Sequence, residues 1–393
     1  MDILADRLKN LPSYLFMRLR DRIRIAEAAG VDLISLAIGD PAEPTPAYII
    51  EALREVALDP ANHHYPTDEH KGMRVFREAV ARWYLRKYRV ELDPDTEVLA
   101  LNGLKEGIHH FIMATVNPGD VVLVTNPGYP AYRANILMAG ATAYEVPLLA
   151  NNAYLPAFEE LPDDVCRKAK AFFLNYPNNP TCACADIEFF SRLVAWAKRH
   201  DILLMNDNPY SEFVFSPGRR LSLLQAEGAK DVCVEFNSLS KSYNMTGWRI
   251  GMAVGAAKII DAMGRCKENT TSGIFNAIQL ASCKAMDDGD EEIEKMLAIY
   301  RRRRDLVRSA FTAMGLSVEP GAGTFYLWIH VPGGQTSLDF TELLLDRAGV
   351  LVTPGTEYGT YGEGFFRVSL TVPDDKLEQA LARMRSVSLV GGA

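Results

Sequence analysis

Ser238, Ser240, Lys241 and Arg249 bring two hydroxyls and two cations into one short stretch, a set suited to gripping a phosphate dianion. Asp207 closes the apolar run Ile202–Asn206, so an ionised carboxylate there needs a partner. That partner is either a neighbouring Arg or Lys, or the protonated nitrogen of a bound ring. Gly103, Leu104 and Lys105 open a helical pattern, and the unpaired N–H groups of a helix start favour an anion. Taken singly, each has a plainer reading: a loop at Gly103, a solvated lysine at 241, a surface ion pair at Arg249.

The elements that position these residues give them more weight. Ile38–Pro46 (IGDPAEPTP) is loop, and from there to about residue 285 short apolar runs alternate with helical patterns. Candidate strands are Val98–Leu101, Val121–Val124, Ala171–Leu174, Ile202–Asn206, Val232–Phe236 and Met252–Val254. Asp186 is placed to cap a helix reaching His200, with Ile187, Phe190, Val194 and Ala197 on its apolar face. Such alternation predicts an α/β domain with a mostly parallel sheet covered by helices, in which ligands bind beyond the C-terminal strand ends. Five consecutive candidate strands end in chemistry at that rim. They are followed by Asn102-Gly103-Leu104-Lys105, Pro127-Gly128-Tyr129, Tyr176–Thr181 with Asn179, Asp207 with Tyr210, and Ser238–Lys241. After residue 285 a long helix over 291–314, ended by Gly315, leads into a smaller α+β unit containing FFRVSL. The expected division is an N-terminal arm and helix (1–35) packed with the small domain, a large domain (36–285) and a small domain (286–393).

A formal net charge of −8 argues against nucleic acid as a main partner. Six cysteines without a CxxC pair make structural zinc and a disulfide framework poor readings, and no metal site is expected. The polar start MDILADRLKN and the lack of a long apolar run point to no membrane span and a cytoplasmic location. His63-His64 and His109-His110 lack metal-ligand spacing, and Arg301–Arg304 reads as a solvated, ion-paired helix surface.

The segment SLSKSYNMTGWRIG (238–251) closely resembles the cofactor-lysine motif of class I/II, fold type I aminotransferases. Asn178-Asn179-Pro180-Thr181 resembles their Asn-Pro-Thr-Gly turn, Asp207 with Tyr210 their Asp-x-x-Tyr, and Gly364–Arg367 the stretch with the substrate arginine. The resemblance covers nearly the whole chain. It implies pyridoxal 5'-phosphate as cofactor, a seven-stranded sheet sandwiched by helices, and a homodimer with shared active sites. Lys241 is then the cofactor-bearing lysine and proton shuttle, Asp207 the partner of the ring nitrogen, and Tyr210 and Asn179 the ligands of the ring oxygen. Tyr129 stacks on the ring; Gly103, Leu104, Lys105, Ser238, Ser240 and Arg249 hold the phosphate; Tyr65 reaches the neighbouring subunit's phosphate. Arg367 grips the carboxylate of an amino acid or 2-oxo acid. Cys182 stands where the family usually has glycine, and Leu104 where close relatives often have serine.

LPSYLF (11–16), IGDPAEPTP, LNGLKEGI and GVLVTPGTEYGTYGEGFFRVSLT resemble most the L,L-diaminopimelate aminotransferase group, with alanine or aspartate aminotransferases of the same subgroup as the alternative. That likeness adds Tyr14 and Gly39 as substrate contacts. Ser238-x-x-Lys241 also fits the S-x-x-K motif of penicillin-recognising serine hydrolases, but no K-T-G element accompanies it.

Overall fold

A computed structural model describes residues 3–9, 11, 15–66, 68, 70–215 and 220–387. Its first strand, β1 (Ile34–Ser35), is short. The main sheet follows: β2 (Val98–Leu101), β3 (Val121–Asn126), β4 (Thr142–Pro147), β5 (Ala169–Leu174), β6 (Leu203–Asp207), β7 (Cys233–Ser238) and β8 (Gly251–Gly255). These seven pair in the order β2-β8-β7-β6-β5-β3-β4, and only β8 runs antiparallel to its neighbours. Because β2, β3, β5, β6 and β7 share a direction, their C-terminal ends form one rim. The interior strands are buried because helices cover both faces; every residue of β7 is buried, Glu235, Asn237 and Ser238 included.

β4 escapes the sequence reading. It is an edge strand with one neighbour, only half-covered, and Tyr144 and Glu145 interrupt its apolar run. The helix Ile187–His200 is capped by Asp186, whose carboxylate accepts from the Phe189 amide at 2.8 Å. Its buried face is Phe189, Phe190, Leu193, Val194, Trp196 and Ala197. Ile187, expected on that face, is exposed because burial begins only at the third helical residue.

The remaining strands are β9 (Tyr326–His330), β10 (Val350–Leu351), β11 (Thr353–Pro354) and β12 (Phe365–Ser369). β11, β12 and β9 form a small antiparallel sheet, while β10 pairs with β1. The N-terminal helix Leu15–Ala28 is tied to this C-terminal unit by ion pairs Arg18–Glu357 and Arg22–Glu342. The expected boundary at residue 285 falls inside the helix Asn276–Asp288; the chain turns instead at Gly289, before the helix Asp290–Ala313. No helix among the described residues is long and apolar enough to cross a membrane.

The reading of Arg301–Arg304 as solvated surface fails at Arg303, which is 4% exposed. Helical spacing puts it on the face of Tyr300 and Val307, both buried. Its guanidinium donates to Asp374 and Glu43, each at 2.6 Å, and to the Leu370 carbonyl at 3.1 Å, while the Tyr300 hydroxyl donates to Glu43 at 3.1 Å. Removing one partner of a largely buried pair strands the other, so Arg303→Met should cost about 3–5 kcal/mol in urea unfolding. Exposed Arg301→Ala should cost under about 0.5 kcal/mol. Equal, small losses would show that Arg303 is not a clamp.

Candidate active site

A cavity of about 240 Å³ opens at the strand-end rim. Of the residues singled out from sequence, Gly39, Leu104, Lys105, Tyr129, Asn179, Asp207, Tyr210, Ser238, Ser240, Lys241 and Arg249 line it. Lys241 lies on the one-turn helix Leu239–Ser242 that follows β7, and its Nζ donates to the Gly39 carbonyl at 2.6 Å. Burial pushes its ammonium down to about 8; Asp40 opposes this, and the Arg249 and Arg367 cations add to it.

Asp207 ends β6, buried, with Oδ2 accepting from the Tyr132 hydroxyl at 2.7 Å. Burial raises its carboxyl to about 6 and the Tyr132 hydrogen bond opposes that rise. Its Oδ1 is buried without a partner. The Tyr210 hydroxyl meets that of Tyr326 at 3.3 Å.

Asn179 is held by its turn. The Asn175 side chain accepts from the Asn179 amide at 2.7 Å, and the Asn178 side chain accepts from Thr181 N and Oγ1. Cys182 adopts φ 63°, the left-handed region that glycine enters without cost, so the departure from the family pattern is borne as local strain. Its thiol is buried, pushed up to about 12, and donates to the Pro180 carbonyl at 3.4 Å. Asn179 keeps its place.

Arg367, on β12, is buried behind Asn179 rather than on the cavity wall. It donates to Asn179 Oδ1 at 2.7 Å and to the Ala37 carbonyl at 2.6 Å, and lies 3.8 Å from the centre of the Tyr326 ring. Among the described residues no carboxylate pairs with it, its two bonds going to an amide oxygen and a backbone carbonyl, and its Nε has no acceptor. A structural ion pair therefore does not account for it.

Gly103 is the N-cap of the helix Leu104–Thr115, at φ 78°, and a Cβ there would collide with the Arg249 guanidinium. The Leu104 side chain packs against Gly251, so packing stands where a relative's hydroxyl would. Tyr65 is 77% exposed and does not line the cavity, and Tyr14 lies outside the described residues. The serine-hydrolase reading finds no support: Ser238 Oγ accepts from Ser240 N and donates to Ile250 O, while Lys241 turns to Gly39.

Sequence reasoning missed Tyr132, Asn175 and Tyr326. Asn175 directly follows an expected strand, and Tyr132 is one helical turn beyond Tyr129, so both had a signal. Tyr326, inside an apolar strand, had none. Among the described residues no cluster of three or more His, Cys, Asp or Glu is grouped to hold a metal ion.

The chain matches the aminotransferase class I and II family over residues 31–384. It is 47% identical to an LL-diaminopimelate aminotransferase of Moorella thermoacetica, covering 98% of each chain. A protein of that name from Dehalococcoides mccartyi is 49% identical over 97% of this chain and 98% of its own. The substrate-bound BacF structure from Bacillus subtilis superposes with a TM-score of 0.96 at 38% identity, covering both chains fully. A single mutant of Thermus thermophilus aspartate aminotransferase gives 0.91 at 29% identity, over 98% of this chain and 100% of that one. With a rim of this construction and likeness along almost its whole length, the chain belongs to the class I and II aminotransferases, transaminases that depend on pyridoxal 5'-phosphate.

Proposed function

We propose that this enzyme moves an amino group between L,L-diaminopimelate and 2-oxoglutarate, in lysine biosynthesis, as a cytoplasmic homodimer with shared sites. Identity of 47–49% to relatives named for that amino acid supports the substrate. The observation that carries the site is a set of unspent polar groups on and just behind the wall of one cavity. Lys241 is held by a single carbonyl, while Asp207 Oδ1 and Arg367 Nε are buried without partners. Each suits one part of the cofactor–substrate pair.

When bound, pyridoxal 5'-phosphate supplies an aldehyde carbon for amine exchange and a ring that draws electrons from the substrate α-carbon. Asp207 Oδ1 would accept the ring N–H, with Tyr132 fixing the other carboxylate oxygen. The Leu104–Thr115 helix start, Lys105, Ser238, Ser240 and Arg249 would hold the phosphate. Tyr210 and Asn179 would bond the ring oxygen, and Tyr129 would stack on the ring. Arg367 would take the α-carboxylate on the N–H groups that Asn179 and Ala37 leave free. Lys241, released from the cofactor, would carry the proton to and from the α-carbon, a task suited to an amine titrating near 8. Tyr65, exposed on its own chain, would serve the neighbouring subunit's phosphate.

Mixing the holoenzyme with single amino acids and following conversion to the pyridoxamine form by absorbance tests the substrate. L,L-diaminopimelate and glutamate should convert fastest; conversion by alanine or aspartate but not by L,L-diaminopimelate would refute it. Lys241→Ala should abolish transamination in a folded protein. Arg367→Ala should raise KM at least ~100-fold while cofactor stays bound, about 3 kcal/mol for a lost charge-assisted fork; loss of cofactor with substrate affinity intact would reassign it. Only the neutral amine attacks an aldehyde. The rate at which cofactor-stripped enzyme takes up pyridoxal 5'-phosphate should therefore rise with pH through about 8, not near the ~10.4 of an ordinary lysine.

A further inference from the structure

A carboxylate holds the Asn102–Gly103 turn from behind. Glu106 reaches back along its helix, Oε2 accepting from the Asn102 amide at 2.6 Å and Oε1 from Asn102 Nδ2 at 3.0 Å. The N-cap is Gly103, which has no side chain to cap with, so Glu106 ties the turn to the helix. This sets an anion beside the helix end that would receive a phosphate dianion, and like charges there would oppose binding.

Lys267 answers that conflict from the neighbouring helix, Ala257–Glu268. It is 0% exposed, and its Nζ donates to Glu106 Oε1 at 2.9 Å and to Thr271 Oγ1 at 3.3 Å. Burial by itself would raise the Glu106 carboxyl; the Lys267 ammonium and the Asn102 donors outweigh it and hold the group below its ordinary range. His110, one helical turn on, adds no second cation, since burial above all pushes it down to about 4. Its Nε2 engages Thr270 Oγ1 at 2.8 Å. Lys267 does not line the cavity.

We propose that Lys267 is a positioning residue for the cofactor phosphate: it cancels the charge of Glu106, so the turn keeps its clamp without repelling the dianion. This rests on the reading of the Lys241 cavity as the cofactor site. Cofactor-stripped, full-length protein titrated by absorbance with pyridoxal 5'-phosphate, and separately with pyridoxal, which lacks the phosphate, tests it. Lys267→Met should weaken pyridoxal 5'-phosphate about 10-fold or more while leaving pyridoxal within about 2-fold, because the uncompensated charge acts on the phosphate. Lys267→Met combined with Glu106→Gln should recover most of the lost affinity, since an amide oxygen still accepts from Asn102 and the stranded charge is gone. Lys267→Arg should bind like the wild type. If Lys267→Met does not fold, Lys267→Gln keeps a donor at the carboxylate without the charge and should show the same selective loss. Equal losses for both ligands, or a double variant no better than the single one, would overturn the role of Lys267 alone. A wild-type protein that takes up no pyridoxal 5'-phosphate would remove the cofactor site and this role together.

Discussion

Lys241 shares its surroundings with Arg249 and Arg367, and the Gly39 carbonyl and the Asp40 carboxylate work against the accumulated positive charge. Uncompensated charge of this kind is costly to keep out of water. The cavity tolerates it in part because Arg249 and Lys105 remain exposed. On the proposed reading, a phosphate and a carboxylate would each restore part of the balance. Burial above all, and the same surplus after it, lowers the lysine's hold on its proton.

Two separate parts of the fold hold that surplus in place. Adjacent parallel strands β6 and β7 deliver Asp207 and the Ser238–Lys241 turn side by side, with Asp207 paired in register to Phe236. The loop after β1 does the rest: its Ala37 carbonyl accepts from Arg367, and its Gly39 carbonyl accepts from Lys241. The small unit secures that loop through Thr371 Oγ1 on the Ile38 carbonyl and through Arg303 on Glu43. Arg367 and Lys241 are therefore both referenced to one stretch of backbone. A shift of the small unit would reach both.

The charged residues outside the cavity obey the same accounting. Glu106 and Lys267 neutralise each other behind the Asn102–Gly103 turn, and Arg303, with Arg302 beside it, offsets Glu43 and Asp374. Neither group touches the cavity. Each fixes a backbone segment whose N–H or C=O groups do. Cys182 is a different case, because it spends left-handed strain on a turn that glycine would make freely, while the hydrogen bonds of Asn175 and Asn178 still set Asn179.

Much of the rim was legible in the chain itself. A strand's end and the residue after it are local facts, so Asp207, Lys241 and the Gly103 turn could be placed from alternating patterns and from the motif around Lys241. The helix cap at Asp186 was legible for the same reason. What the chain could not disclose depends on which distant segments meet. Tyr326 reaches Tyr210 and Arg367 from the small sheet, Lys267 meets Glu106 across 161 positions, and Arg303 turns inward because Glu43 and Asp374 await it. An edge strand such as β4 is likewise defined by its one neighbour more than by its own residues. Local propensity and hydrophobic period determined the elements and the chemistry at their ends. Only tertiary packing decided which buried charges would be cancelled and which left open for a ligand, because the energy of a buried charge is set by partners brought from elsewhere in the chain.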